Sequence, residues 1–272
     1  MCEAYASWRR TGDTAVGLSA VVITLNEEKN IDACLRGLAF ADEIVVVDSF
    51  STDRTVEIAR QHTDKVSSRH FTGFSDQKSA AIELAQNDWI LIVDADEVVT
   101  GDLAAEIQAA VKNGDCDAYR IPRLSYFLGR PIRHCGWYPD YQLRLARRGT
   151  AHFADRLVHE TLETDRKCGT FKHDLIHYTY RDMDDVVRKT VSYSRAGALQ
   201  KVRQGTRCRL SDLLFRPGLA FLKKYVLKQG FRDGLHGFIL SGLGAYEVFL
   251  KYAILWDITR RPGPNKEKTD HD

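Results

Sequence analysis

The sequence predicts an α/β fold built on a parallel sheet with helices on both faces. Three observations lead there. Leu18–Thr24, Glu43–Asp48 and Trp89–Val93 are short, almost unbroken apolar runs, the composition of strands buried on both sides. Stretches with apolar residues at helical spacing alternate with them. Each run also stops at a polar cluster: Thr24-Leu-Asn-Glu-Glu, Asp48-Ser-Phe-Ser-Thr-Asp and Asp94-Ala-Asp-Glu. In open α/β sheets the carboxyl edge of the strands is where ligands bind.

Taken in order, residues 1–17 are polar, lack the apolar core of a secretory signal, and are expected to form a flexible leader. The first strand is followed by a helix expected over Asn26–Phe40, with Ile31, Leu35 and Leu38 on one face. The second strand leads to a helix expected over Thr52–His62, then a short third strand at Lys65-Val66. A helix over Ser75–Gln86 precedes the fourth strand, and Leu103–Lys112 is the next helix. Residues 117–180 are mixed, with strand-like pieces at Ala118-Tyr-Arg-Ile and Tyr141-Gln-Leu-Arg-Leu. From Met183 onward the pattern is helical, and residues 262–272 read as a solvated tail.

The 272 residues, 44% hydrophobic and 28% charged, are enough for a full core. The six cysteines, at 2, 34, 116, 135, 168 and 208, form no Cys-x-x-Cys pair. That argues against a zinc ribbon or a disulfide framework and fits a reducing cytoplasm. No apolar run approaches the roughly 20 residues of a membrane span. The net charge of +2 conceals an asymmetry: residues 186–261 carry 15 Lys and Arg against 4 Asp and Glu, so the front of the chain is acidic. Between Leu210 and Trp256 aromatics such as Phe215, Phe221, Tyr225 and Phe231 interleave with Arg216, Lys223, Lys224, Lys228 and Arg232. Such a mixture suits helices lying on an anionic bilayer, or helices packed on a catalytic domain with their basic face in water. No motif points to nucleic-acid binding.

Asp94 and Asp96, at i and i+2 of a strand end, point the same way and can share a hard divalent cation. Such an ion holds a diphosphate and lets it depart. Asp48 leaves its strand at the same edge, where a carboxylate can accept the N3–H of a uracil ring. Thr24, Asn26 and Glu28 follow the first strand and reach the same crevice. For Asn26 and Ser51 helix capping is the alternative. Gln77 and Lys78 open the helix before the fourth strand; Lys78 is either a diphosphate contact or a solvated helix residue. Arg144 is a further diphosphate candidate.

The ordered set Thr24-Leu-Asn-Glu-Glu, Val47-Asp48-Ser49 with Ser51-Thr52-Asp53, and Asp94-Ala-Asp-Glu97 resembles the family 2 inverting glycosyltransferases of the GT-A fold. Trp137-Tyr-Pro-Asp-Tyr-Gln-Leu-Arg-Leu, Val158-His-Glu160, and His177 ahead of an Arg188-Lys189-x3-Tyr193 helix narrow the resemblance to the bacterial lipopolysaccharide-core β-1,4-glucosyltransferase group. It spans roughly residues 18–257. The Asp-x-Asp alone is a weak signal, whereas the ordered set is specific. Ser79 stands where relatives commonly have Asn.

The resemblance implies a GT-A (Rossmann-like) nucleotide-sugar-binding sheet over 18–182 and a basic, aromatic-rich helical appendage over 183–261. It implies that Asp48 holds uracil, Asp94 approaches the ribose or diphosphate, and Asp96 binds Mg²⁺ or Mn²⁺. His177 would be a second ligand; a satisfied core histidine is the alternative. An inverting transferase also needs one carboxylate to take the acceptor proton. Glu160 matches the family's place for this base. Asp140 is the rival, unless it forms a salt bridge to Arg144 or Arg147.

The expected activity is transfer of a hexose, glucose from UDP-glucose first, onto a heptose of the lipopolysaccharide inner core. The expected place is the cytoplasmic face of the cell membrane. Transfer of another sugar to a different glycolipid or a polyprenyl phosphate is the nearest alternative. A sugar-nucleotide pyrophosphorylase would carry a Gly-rich, Arg-containing loop after the first strand, where this chain has Thr-Leu-Asn-Glu-Glu. A non-catalytic membrane-binding module would not need carboxylates at the strand ends.

Overall fold

The computed structural model describes residues 16–153, 162–180 and 182–260. The elements are β1 Leu18–Thr24, α1 Ile31–Gly37, β2 Glu43–Asp48, α2 Thr55–Ala59, β3 Val66–Ser68, α3 Phe74–Leu84, β4 Trp89–Asp94, β5 Glu97–Val99, α4 Gly101–Asn113, β6 Ala118–Phe127, β7 Arg130–Pro131, β8 Asp140–Arg147, β9 His152–Phe153, β10 Leu162–Glu163, β11 Cys168–Thr170 and β12 Leu175–Tyr180. Helices α5 Met183–Arg203, α6 Leu210–Leu214 and α7 Arg216–Leu222 follow, then a π turn Lys223–Leu227, a 3₁₀ turn Gly230–Asp233 and α8 Gly234–Arg260. The chain divides into two compact units, Met1–Pro122 with Tyr141–Leu175, and Arg123–Asp140 with Ile176–Asp272.

The first unit is the expected α/β sheet. Its strand order begins β3-β2-β1-β4-β8. β1, β2, β3 and β4 run parallel, and β8 turns antiparallel on β4, with Trp89 opposite Arg147. The period-2 pleat sorts each apolar run onto two faces. Ala20, Val22, Val46, Trp89, Leu91 and Val93 join Ile31, Leu35, Leu103 and Ile107 in one core. Val21, Val45, Val47, Ile90 and Ile92 join Ala81 and Ala85 in the other. This is why those runs carry no polar alternation. Connections after β1 step outward to β2 and β3, and the chain then returns to the other side of β1 with β4. That reversal is a topological switch point, and it opens a crevice at the carboxyl ends of β1 and β4.

Two expected helices are shorter than their patterns. α1 starts at Ile31 rather than Asn26, and α2 at Thr55 rather than Thr52. In both cases the missing turn is spent on loop hydrogen bonds described below.

In the second unit β6 and β7 form a hairpin, Phe127 pairing with Arg130. The turn residues Leu128 and Gly129 both have positive φ, as a two-residue turn matched to strand twist requires. The helix expected from Met183 is α5, capped by Asp182, whose side chain accepts from the Asp185 amide. α5 packs on α8 through Ala198, Tyr252 and Leu255. α8 in turn approaches the 3₁₀ turn so closely that a Cβ on Gly237 would fall 1.8 Å from the Gly230 carbonyl oxygen.

The expectation that nothing is long and apolar enough for a membrane span is corrected. Gly230–Arg260, 31 residues, has an 18-residue window of mean hydropathy 1.4 and is long and apolar enough to cross a membrane by length and composition. Scattered Gly and Ser, with His236, Glu247 and Lys251, break its apolar runs, but its many Leu, Ile, Val and Phe keep the average high, so a search for apolar runs passes over it.

Candidate active site

Strand register assembles the carboxyl edge. Thr24 of β1 lies opposite Asp48 of β2, and Ile23 lies opposite Asp94 of β4. The two aspartates therefore flank the end of β1, one on each side. The loops leaving β1 and β2 are laced together. Asn26 takes positive φ (54°), which Asn tolerates better than most residues. Its Oδ1 accepts from the Thr52 amide at 2.8 Å, and its own amide donates to Ser51 Oγ at 2.8 Å. The Glu27 amide donates to Thr55 Oγ1 (2.8 Å), the Glu28 amide to Asp53 Oδ2 (3.2 Å), and the Arg54 amide to Glu28 Oε2 (3.2 Å). Asn26, Glu28 and Ser51 thus fasten one loop to the other rather than capping their own helices.

Asp48 is buried, 1% exposed. Its Oδ2 accepts from the Ser51 amide at 2.8 Å and its Oδ1 from Ser51 Oγ at 2.5 Å, so the carboxylate is held rigidly. Beside it Phe50, also at positive φ (63°), is half exposed with its ring 4.3 Å from that of His70. This exposed aromatic pair was not anticipated; a bulky aromatic inside a Ser/Thr/Asp loop was the available signal.

Asp94 is the centre of a charge cluster. Lys78 Nζ lies 2.6 Å from its Oδ1, and Arg144 Nη2 lies 2.7 Å from its Oδ2. The same Arg144 nitrogen lies 2.5 Å from Glu97 Oε1, and Glu97 Oε2 accepts from the Asp94 amide at 3.0 Å. Arg144 and Glu97 are buried, 6% and 0% exposed. Burial pushes the Asp94 carboxyl up, but Arg144 and Lys78 outweigh burial and hold it well below the usual carboxylate range. Burial likewise opposes the Arg144 charge, and Asp94 and Glu97 outweigh it, so the guanidinium is held charged even more firmly. Arg144 is therefore a partner of Asp94 and Glu97, not of Asp140 as the alternative for that residue allowed. Glu97, which had no expected role, is the acceptor that locks the Asp94 backbone and Arg144 together. Below the turn, burial pushes the Cys34 thiol up, reinforced by Glu97 and Asp96.

Among the described residues five buried side-chain polar atoms find no hydrogen-bond partner, and three are Thr24 Oγ1, Gln77 Oε1 and Arg144 Nε. Thr24 ends β1, Gln77 donates to Ser49 Oγ on the β2 loop at 2.9 Å, and Arg144 holds the end of β4. Native structures rarely leave such atoms unmatched. The three are one acceptor, one donor and one hydroxyl, on residues that end β1 or are bonded to the ends of β2 and β4. A 600 Å³ concavity lined by Asp42, Glu43, Lys65 and Gln86 lies instead where β2 begins. There Glu43 already accepts from Ser19, Lys65 and the Gln86 amide.

Glu160 lies outside the described residues. Asp140 belongs to the second unit, where Arg123 Nη2 and Nε donate to its Oδ2 at 2.6 and 3.0 Å. Its ion-pair partner is thus Arg123; Arg147 instead stacks on the Trp89 ring at 4.6 Å. His177, also in the second unit, has Nδ1 3.0 Å from both Ser125 Oγ and Thr179 Oγ1. Among the described residues no group of three or more His, Cys, Asp and Glu is arranged to hold a metal. Chemically the donors still suit a hard divalent ion. Both Asp94 oxygens face cations, and Asp96 stands half-buried in the turn between β4 and β5.

The model of glycosyl transferase family 2 matches residues 19–160, the span that carries the strand-end carboxylates and their loops. The chain belongs to that family. This family 2 enzyme is 32% identical over 254 residues to the lipopolysaccharide core biosynthesis glycosyltransferase LpsC of Rhizobium meliloti, covering 88% of the chain and 92% of LpsC. Among solved structures it is similar to the mannosyltransferase PcManGT of Pyrobaculum calidifontis in complex with GDP-Man and Mn²⁺ (15% identity, TM-score 0.49, 92% of this chain and 91% of that one). It is also similar to S. aureus TarS in complex with UDP-GlcNAc (15% identity, TM-score 0.46, 90% and 91%). Family membership and the switch-point sheet together give the GT-A architecture with C-terminal helices. They set aside the pyrophosphorylase and the non-catalytic module.

Proposed function

We propose that this glycosyltransferase moves a hexose, glucose from UDP-glucose first, with inversion onto a heptose of the lipopolysaccharide inner core. It would work at the cytoplasmic face of the cell membrane. The observation that carries the donor reading is the strand register that sets the buried Asp48 and the Asp94–Arg144–Lys78 cluster on either side of the end of β1. The name of LpsC supports the lipopolysaccharide acceptor.

In this reading Asp48, held by Ser51, presents a fixed acceptor to the uracil N3–H, and the Phe50–His70 pair offers the ring a stacking surface. Thr24 and Gln77 complete the polar edge of the nucleotide. Lys78 and Arg144 supply positive charge where the diphosphate lies, while Asp94 fixes both cations and meets the ribose. Asp96 would hold Mg²⁺ or Mn²⁺, with His177 a further ligand candidate. When bound, the metal neutralises charge on departing UDP. The acceptor hydroxyl attacks the anomeric carbon on the face opposite UDP and gives its proton to Glu160. The new glycosidic bond forms as the bond to the β-phosphate oxygen breaks. Asp140, neutralised by Arg123, is the second choice as base.

UDP release measured with purified truncated lipopolysaccharide and a panel of nucleotide sugars tests this. UDP-glucose should be turned over fastest, and only with heptose-containing acceptor. Equal or faster turnover of another donor, or turnover on a polyprenyl phosphate alone, would replace this reading.

A further inference from the structure

The second unit carries a surface to which the transfer reading assigns no step. α7 and the π turn make one continuous helical run from Arg216 to Leu227. Along it Phe215, Leu219, Leu222 and Val226 recur at i, i+4, i+7 and i+11, one helical face, and each is more than half exposed. Leu227, which ends the π turn, and Leu235, in the first turn of α8, are also exposed, at 75% and 68%. The opposite face of the run is filled from within: Phe221 and Tyr225 pack against Phe238 at 5.7 and 5.8 Å between ring centroids. The exposed stripe is therefore left over after the helices have packed, and contiguous apolar surface of this kind marks a binding face.

The charges around it identify the occupant. Arg207, Arg209, Arg216, Lys223, Lys228 and Arg232 are all exposed. Between Gln204 and Leu240 the acids are Asp212 and Asp233. Asp212 is paired with Arg216 at 2.5 Å, and Asp233 is buried, accepting from the His134 amide at 2.9 Å. An apolar stripe rimmed by cations with no exposed acid repels a second copy of itself. Its Leu and Val side chains also give a nucleic acid no stacking surface. It matches a surface that is anionic outside and hydrocarbon beneath.

We propose that the face formed by Phe215–Val226 and Leu227–Leu235 seats in an anionic phospholipid bilayer, its leucines and phenylalanines at the acyl boundary and its Lys and Arg heads among the phosphates. This deepens the membrane part of the proposed function by naming the surface and the lipid charge. α8 meets the opposite face of the run through Phe238, and its Gly237, Leu240, Ser241 and Gly244 are buried.

The experiment is co-sedimentation of the full chain with vesicles of phosphatidylcholine alone and of phosphatidylcholine mixed with phosphatidylglycerol, at low and high salt. Wild type should bind the anionic vesicles and lose binding as salt screens the charges. The triple variant Leu219→Glu, Leu222→Glu, Val226→Glu should bind at least about ten-fold less. So should Lys223→Glu, Lys228→Glu, Arg232→Glu, given about a few-fold per cation. Both should keep wild-type UDP release on detergent-dispersed acceptor. Wild-type binding by both variants, equal binding to neutral vesicles, or dimers that the first variant dissolves would each overturn the assignment. Failure of UDP-glucose as donor would leave vesicle binding intact and overturn only the transfer reading.

Discussion

The strand-end crevice and the C-terminal helices place their charge and their apolar surface in opposite ways. At the crevice, charge is buried and matched inside the protein: Arg144, 6% exposed, lies between Asp94 and Glu97. On the helices, Leu219 and Leu227 face outward at 63% and 75% exposure, with the cations around them also exposed. The first arrangement is preorganised before any ligand arrives, and its cost is met by internal ion pairs. The second is left incomplete by the fold and needs an outside partner. Mutations should therefore hit stability hard in the first region and hardly at all in the second.

The largest effect should come from Arg144→Met, which leaves Asp94 and Glu97 buried without their guanidinium. A loss of about 3–5 kcal/mol in urea unfolding is expected, and a loss below about 1 kcal/mol would mean that the cluster is not a buried network. Asp96→Ala should separate function from stability at the same edge. Transfer should fall by about 10²–10³ with unfolding free energy within about 1 kcal/mol of wild type, and full transfer in excess chelator would contradict the metal role.

The Asp94 carboxyl is depressed in the folded state, so its contribution to stability is present above its unfolded value, about 3.9, and is lost as pH falls through the folded one. The stability gap between wild type and Asp94→Asn should be constant at neutral pH and shrink on acidification below about pH 4. A gap that widened in acid would reverse the assignment. Asn26→Ala removes the lacing and places Ala at positive φ, at about 1–2 kcal/mol in thermal unfolding. The smallest effect should be Leu219→Glu alone, within about 0.5 kcal/mol. A larger loss would show that the stripe is packed rather than waiting for a partner.

The sheet was legible because β1, β2 and β4 are buried on both faces and so consist of uninterrupted apolar residues. The helices after β1 and β2 were overextended because the polar residues Asn26–Asn30 and Thr52–Arg54 read equally well as a first helical turn, whereas tertiary hydrogen bonds to the neighbouring loop replace helical ones there. Asp48, Asp94 and Asp96 were legible as strand-end carboxylates. The partnership of Arg144 with Glu97 was not, since it joins residues 47 apart in the chain through the β4–β8 pairing. Helix α8 was missed as a long apolar element because its glycines and serine interrupt the runs that a simple scan counts.

The central claim is that the crevice at the end of β1 holds the donor's nucleotide. Calorimetric titration of UDP-glucose into wild type and Asp48→Asn tests it most directly. Binding in the variant should be at least about ten-fold weaker, with an unchanged circular dichroism spectrum. Equal affinity in the two proteins would contradict it.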